Sequence, residues 1–286
     1  MNSPIADGGG NHLLATTRLS VIGVGRIGEA VLRGLFEKGI MRPEQVRGSV
    51  RREASLTRVR DRLGIEVGLD NAAAARGADV VLLAVKPQGM PGVLEELAGA
   101  LSPTTLIISV VASVETATIE EALGGRPSVI RTMPNTPCMV GAGMSVLCPG
   151  SFSSEPELTM TRALFDACGE TTVVREELMD AVTGLSGSGP AYIYLVIESL
   201  AEAGVKVGIP RDVSTLLSAQ TVLGAARMVI DQKAHPALLK DSVTTPAGCT
   251  VDGLLELEEG KLRVTLIKAV VKAAERAAAL SPARPG

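Results

Sequence analysis

Residues 19–28 read LSVIGVGRIG, a short apolar run that leads directly into glycines spaced as GxGxxG. Apolar side chains at helical spacing follow these glycines. In a strand, turn and helix that bind a dinucleotide, the first glycine permits the tight turn and the second admits the pyrophosphate. The third lets the helix pack closely on the strand, and the helix N-terminus attracts the phosphates. The predicted cofactor-binding residues of this loop are Gly23, Gly25, Arg26, Ile27 and Gly28.

The same alternation of strand and helix continues beyond the glycines. Apolar runs are found at 46–50, 78–85, 105–111 and 128–133, with helical patterns such as 28–39 and 56–63 between them. Continuous apolar runs are typical of parallel strands buried on both faces, and their alternation with helices favours a doubly wound sheet. We therefore predict an α/β fold, with an N-terminal Rossmann-like sheet over 18–175 that binds NADP.

The second half of the chain has a different pattern. From residue 176 to about 280, Ala, Leu, Val and Ile recur at helical spacing, which predicts an all-helical domain suited to dimerisation. Segment 191–206 is apolar nearly all round and predicts a heavily buried helix. Dimerisation would bury it most easily, although the core of a monomer has the same pattern. The Gly- and Pro-rich termini, 1–17 and 281–286, are predicted to be disordered tails.

Composition narrows the classes of partner. The 28 Lys and Arg against 31 Asp and Glu give a net charge of −3, and aromatic residues are only 2%, so nucleic-acid binding is not expected. No apolar run has the length of a membrane span, and residues 1–17 lack the features of a signal peptide. Four cysteines without metal-ligand spacing predict no metal site and a reducing, cytoplasmic location.

The residues after the second predicted strand indicate which nicotinamide cofactor is used. A carboxylate at this point would bind the ribose 2′-hydroxyl of NAD, whereas the chain has Arg51 and Arg52. Two fixed cations pair well with a 2′-phosphate, so NADPH is the preferred cofactor, with NADH possible. An alternative is that both belong to a solvated arginine-rich face together with Arg47, Arg58, Arg60 and Arg62.

The chain offers few acids for reducing a carbonyl. Neither Tyr192 nor Tyr194 has a lysine four residues on, and His12 lies in the predicted tail. His235 precedes a proline at a helix start, where capping is the expected role. A cyclic iminium carries its own proton and accepts hydride without an enzymic acid, so a site for it need only position the ring and bind its carboxylate.

Several further stretches stand in a fixed order: AVKPQ at 84–88, RTMPNTP at 131–137, LSGSGPAY at 185–192 and KDSVTTPAGCT at 240–250. Together with the glycine loop, they make the chain resemble the pyrroline-5-carboxylate reductase family from about residue 19 to 279. The resemblance implies NAD(P)H-dependent reduction of L-1-pyrroline-5-carboxylate to L-proline, the last step of proline biosynthesis. Hydride would be transferred to the protonated C=N bond, and homodimers, often assembled into rings, would be the active form.

The resemblance also implies which residues form the site. The substrate carboxylate would lie in the loop containing Thr245, Ala247, Gly248, Cys249 and Thr250, and the hydroxyl of Thr250, the catalytic residue, would reach the ring nitrogen. The cofactor would further contact Asn71, Ala84, Val85, Lys86, Pro87 and Asn135. Without the family, 244–250 is equally an N-cap and turn. Ala247 stands where glycine is usual, and it would be strained if its φ is positive.

Two other functions share features with this sequence. A β-hydroxyacid dehydrogenase would have Lys and Asn where this chain has Ile193 and Ile197, so the catalytic acid of that family is missing. A non-catalytic NADP-binding regulator remains open, because binding a dinucleotide does not require turnover.

Overall fold

Eight strands form one sheet in the computed structural model, which describes residues 11–280. They are β1 Leu19–Ile22, β2 Val46–Ser49, β3 Glu66–Gly68, β4 Val80–Leu83, β5 Leu106–Ser109, β6 Ser128–Met133, β7 Gly143–Pro149 and β8 Gly169–Val173. The spatial order is β3-β2-β1-β4-β5-β6-β7-β8, and every neighbouring pair is parallel except β6 and β7. The strand order reverses between β1 and β4, which is where open α/β sheets bind their ligands.

Helices cover both faces of this sheet. They are α1 Asn11–Leu14, α2 Arg26–Glu37, α3 Leu56–Leu63, α4 Asn71–Ala75, α5 Met90–Leu97, α6 Thr116–Leu123, α7 Glu155–Asp166 and α8 Met179–Val182. Side chains alternate along a strand, so Val21 joins the core cluster that includes α2, and Ile22 joins the opposite cluster that includes α5. The strands β1, β4 and β5 are buried at every position. The predicted α/β, doubly wound class is confirmed.

The first compact unit runs to Gly187 and resumes at Ala273. The predicted domain boundary at residue 175 stays a prediction. The prediction of a disordered tail is wrong for residues 11–17, because α1 forms there and Leu14 is fully buried in the core. Residues 1–10 and 281–286, the rest of the predicted tails, lie outside the described residues.

The second compact unit, Ser188–Lys272, is helical. Its helices are α9 Gly189–Lys206, α10 Arg211–Gln232, α11 Pro236–Ser242, α12 Cys249–Glu259 and the first part of α13 Leu262–Leu280. Helices α9 and α10 pack together, and the buried Ser214 hydroxyl donates to the Ala201 carbonyl at 2.7 Å across the pair. At the start of α11, the His235 ring accepts from the Ala237 N–H at 3.2 Å, which is the expected capping role.

Much apolar surface of this unit remains exposed. Of the α9 residues only Ala201 is buried, so the prediction of a heavily buried helix is wrong for a single chain. Leu195 and Leu216 are 63% and 68% exposed. Monomeric proteins rarely expose so many large apolar side chains on one helical unit. Among the described residues, α10 alone is long and apolar enough to cross a membrane by length and composition, which is weak evidence for one helix.

Candidate active site

The glycine loop, residues 23–28, connects β1 to α2 at the carboxyl edge of the sheet. Gly23 has φ +85°, and a Cβ there would lie 2.7 Å from Val85 Cγ1, so only glycine fits between β1 and the end of β4. A Cβ at Gly28 would lie 3.0 Å from Val21 Cγ1, which reflects the close approach of α2 to β1. Gly25 is the N-cap of α2, and a Cβ there would meet only the Gly23 carbonyl oxygen, in ordinary contact at 3.8 Å. The loop thus presents backbone and a helix N-terminus to solvent.

Residues 84–87 lie beside this loop. The Ala84 N–H donates to the Ile22 carbonyl at 2.9 Å, which extends the parallel pairing of β1 and β4 past the end of the strand. Ala84 and Val85 are half-buried, and Lys86 and Pro87 are exposed. The structure therefore brings these four predicted cofactor residues together with the glycine loop, on one edge of the sheet.

The arginines near β2 fall into two groups. Arg58 and Arg62 each contact a carboxylate oxygen of the buried Glu29 at 2.8 Å, and Arg47 pairs with Glu66 at 3.1 Å. Arg51 and Arg52 follow β2, are exposed, and have no ion-pair partner within residues 11–280. Arg60 on α3 is likewise exposed and has no ion-pair partner among the described residues, but Arg51 and Arg52 directly follow β2, where a 2′-phosphate is expected.

The two predicted asparagines are both hydrogen-bonded to protein groups. Asn71 accepts from the Ser49 hydroxyl at 2.6 Å and donates to Glu96 at 2.7 Å. Asn135 follows β6; its amide donates to the Ser186 carbonyl at 3.1 Å and accepts from the Met144 N–H at 2.9 Å. The short 3₁₀ turn after Asn135, Thr136–Val140, contacts α2. The contacts of these asparagines with a cofactor stay a prediction.

Sequence reasoning missed a buried ion pair close to this edge. Arg131 in β6 is 4% exposed and contacts Glu176 at 2.6 Å. The other oxygen of Glu176 accepts from the Thr116 hydroxyl at 2.8 Å and from the Cys148 thiol at 3.4 Å. Burial, together with the Glu176 carboxylate, raises the pKa of Cys148 to about 12. The available signal was a single charged residue inside the predicted strand 128–133, which reads SVIRTM.

The loop predicted to bind the substrate, residues 245–250, lies between α11 and the start of α12 in the second unit. The Gly248 N–H donates to the Thr245 carbonyl at 2.9 Å, which closes a turn, and Gly248 is the N-cap of α12. In the described part of the chain, no acceptor is bonded to the N–H groups of Cys249 and Thr250, which lie in the first turn of α12. Two free N–H donors at a helix N-terminus suit a carboxylate.

The side chains of this loop are accessible. Thr245 and Cys249 are exposed and Thr250 is half-buried, so the loop can receive a solute. The thiol of Cys249 is free and open to oxidation, whereas the other cysteines of the chain are buried. Ala247 has φ +55°, so the unusual alanine does occupy a left-handed conformation. The backbone strain predicted for Ala247 from the sequence therefore has a structural basis.

Comparison with known proteins matches each half of the chain to a family model of its own and nearly the whole chain to relatives of one family. Residues 176–280 match the family model for pyrroline-5-carboxylate reductase dimerisation, and residues 18–113 match that for NADP oxidoreductase, coenzyme F420-dependent. The pyrroline-5-carboxylate reductase of Methanosarcina acetivorans is 42% identical over 259 residues, covering 91% of this chain and 96% of that protein. The enzyme of the same name from Glycine max is 42% identical over 263 residues, covering 92% and 96%.

Solved structures agree with the sequence comparison. A pyrroline-5-carboxylate reductase from Coxiella burnetii has a TM-score of 0.88 and 36% identity, covering 94% of this chain and 100% of that chain. The pyrroline carboxylate reductase of Plasmodium falciparum, solved with NADP bound, has a TM-score of 0.85 and 32% identity, covering 94% and 100%.

Proposed function

This chain belongs to the pyrroline-5-carboxylate reductase family, and from that premise we propose which of its residues carry out the reaction. The chain is an oxidoreductase that uses NAD(P)H to reduce L-1-pyrroline-5-carboxylate to L-proline, in proline biosynthesis. The observation that carries this function is about 42% identity to such reductases over nearly the whole chain. The bound nicotinamide supplies the hydride, and the chain's own residues hold and orient the two reactants.

We assign the cofactor to the glycine loop and the adjoining strand ends. The open backbone around Gly25 and the N-terminus of α2 fit a pyrophosphate, because they present N–H groups and a positive dipole end. Arg51 and Arg52 fit a 2′-phosphate, since neither is neutralised by a described carboxylate. The residues Ala84, Val85, Lys86 and Pro87 border the same edge. This arrangement supports a preference for NADPH over NADH.

We assign the substrate to the loop 245–250. The free N–H groups of Cys249 and Thr250 and the hydroxyl of Thr245 are donors for the substrate carboxylate. The hydroxyl of Thr250 hydrogen-bonds the ring nitrogen, where it can accept from the iminium N–H and later from the amine. The iminium brings its own proton, so Thr250 orients the ring and does not need to act as an acid. Orientation of this kind lowers the barrier chiefly through entropy.

The chain works as a dimer-based assembly, in keeping with the dimerisation region at 176–280. Side chains such as Leu195 and Leu216 would then be covered by a second copy, which also accounts for the apolar character of α10. We further propose that dimers associate into a ring and that the protein is cytoplasmic. Native mass spectrometry tests the ring, and a mass of two chains would contradict it.

The function is tested by following NADPH absorbance with purified protein and L-1-pyrroline-5-carboxylate, with NADH in a parallel arm. We expect one proline for each NADPH oxidised and a higher kcat/KM with NADPH than with NADH. If NADPH binds but no imine oxidises it, the non-catalytic regulator is the better description.

A further inference from the structure

A chain of three hydrogen bonds links the glycine loop to an exposed carboxylate on α5. The Gly23 N–H donates to Ser49 Oγ at 3.3 Å as well as to the Ser49 carbonyl at 3.1 Å. The Ser49 hydroxyl donates to Asn71 Oδ1 at 2.6 Å, and Asn71 Nδ2 donates to Glu96 Oε2 at 2.7 Å. The four residues come from the β1–α2 loop, β2, α4 and α5.

In this series of three hydrogen bonds, every donor points toward Glu96. A carboxylate can only accept, so Nδ2 of Asn71 must face Glu96 and its Oδ1 must face Ser49. The Ser49 hydroxyl then donates its only proton to Asn71, and its oxygen lone pairs are left to accept from the Gly23 N–H. Hydrogen bonds aligned in one direction and ending on a charge strengthen one another. The Glu96 carboxylate therefore sets the direction of the Asn71 and Ser49 side chains, and the Ser49 hydroxyl gives the Gly23 N–H a second acceptor beside the Ser49 carbonyl, which also accepts from the Val24 N–H at 2.8 Å.

We propose that Glu96 is a positioning residue for cofactor binding, acting through Asn71 and Ser49 on the glycine loop. On one side Gly23 packs closely against Val85 at the end of β4. On the other side its N–H is bonded to Ser49, the first residue in the series of hydrogen bonds that leads to Glu96. With the Gly23 N–H tied down inside the fold, the backbone near Gly25 is set to receive a pyrophosphate. Asn71 keeps one N–H and one lone pair, so a contact with the cofactor remains open to it.

This role rests on the proposed cofactor site, and it differs in one measurable way from that of the arginines. The pyrophosphate is common to NADPH and NADH, so a change at Glu96 must weaken both equally. A change at a residue that binds the 2′-phosphate would weaken NADPH alone. Glu96 is exposed and lies outside the hydrophobic core, so its substitution should leave the fold intact.

The test compares Glu96→Ala, Glu96→Gln and a matched control, Glu95→Ala. Glu95 is the exposed neighbour on α5, and no described residue bonds to its side chain. Kd values for NADPH and NADH are measured by fluorescence titration without substrate, and KM and kcat are measured in turnover. We expect Glu96→Ala to raise both Kd values and both KM values about three- to tenfold, with little change in kcat. Glu96→Gln keeps an acceptor oxygen and should stay within about twofold of the wild type.

Hydrogen exchange of the nucleotide-free protein gives a second measurement, independent of activity and of cofactor binding. We expect the Gly23 amide to exchange several-fold faster in Glu96→Ala than in Glu95→Ala, because the hydrogen bonds from Glu96 no longer hold the Ser49 hydroxyl against it. Unchanged exchange, or a loss confined to NADPH, would overturn the positioning role. Failure of the wild type to bind either nucleotide would instead count against the proposed cofactor site, and the exchange data would still decide the role of Glu96.

Discussion

The buried ion pair of Arg131 and Glu176 allows a prediction of stability. In Glu176→Ala, the guanidinium of Arg131, 4% exposed, loses the carboxylate that it contacts at 2.6 Å. The same change removes the acceptor of the Thr116 hydroxyl and of the Cys148 thiol. Removing one partner of a buried ion pair destabilises a protein by about 3–5 kcal/mol, because the other charge stays buried and unpaired.

A neighbouring carboxylate reduces this loss. Asp180 Oδ1 lies 4.0 Å from Arg131 and has no hydrogen-bond partner in the described structure, so it can move closer and pair with Arg131. We therefore expect Glu176→Ala to lower the free energy of unfolding by about 3 kcal/mol. For a chain of this size, that corresponds to a fall in Tm of about 6–12 °C.

The assay is thermal unfolding at one fixed concentration of protein, because dimerisation makes Tm depend on concentration. The matched control is Glu177→Ala, since Glu177 is 65% exposed and contacts the exposed Arg175 at 3.8 Å. Such surface pairs contribute little, so this variant should unfold within about 2 °C of the wild type. If Glu176→Ala and Glu177→Ala have the same Tm, the inference that the buried ion pair holds β6 to the segment containing Glu176 is wrong.

Three further predictions concern the cofactor, the substrate loop and alkaline pH. Arg51→Ala should lower kcat/KM for NADPH about tenfold and leave that for NADH nearly unchanged, and equal losses with both cofactors would contradict a 2′-phosphate site. Ala247→Gly removes left-handed strain of about 1 kcal/mol, so kcat should survive while KM for the imino acid changes; an unchanged KM would leave the strain without consequence. The raised pKa of Cys148 means that the folded protein keeps a proton above pH 9 that the unfolded chain releases, so stability is lost as pH rises from 9 toward 12. At pH 10 this loss is about 1 kcal/mol, and urea unfolding of Cys148→Ala should show a correspondingly flatter decline than that of the wild type.

The central part of the sheet could be predicted because its signals are local. Strand β6, Ser128–Met133, coincides with the predicted run 128–133, because Val129, Ile130 and Met133 give it a local apolar signal. Helix α2 begins at Arg26, two residues before the predicted start, because Gly25 serves as its N-cap. The strands β3, β7 and β8 were not predicted. Residues 169–173 read GETTV and alternate between half-buried and exposed, as expected of an edge strand with little apolar signal.

The parts of the site that depend on distant residues could not be predicted. The sequence indicates Asn71 and Asn135 by their place in motifs, yet their partners Glu96 and Ser186 are 25 and 51 residues away. In the same way, Arg131 meets Glu176 across 45 residues. The expected burial of α9 is absent from the single chain for a related reason, because under the proposed dimer the surface that covers this helix would belong to another copy.

The most direct test of the proposed reaction site is the kcat/KM for L-1-pyrroline-5-carboxylate, with proline quantified, in Thr250→Ala, Thr250→Ser and Thr265→Ala. Thr265 is an exposed threonine outside the loop whose hydroxyl bonds to the Lys261 carbonyl, so its variant controls for the loss of a threonine. We predict that Thr250→Ala loses about 10- to 100-fold, because a hydrogen bond to the charged ring nitrogen is lost, while Thr250→Ser and Thr265→Ala keep most of the activity. Activity in Thr250→Ala equal to that of Thr265→Ala would contradict the assignment of the substrate to the loop 245–250.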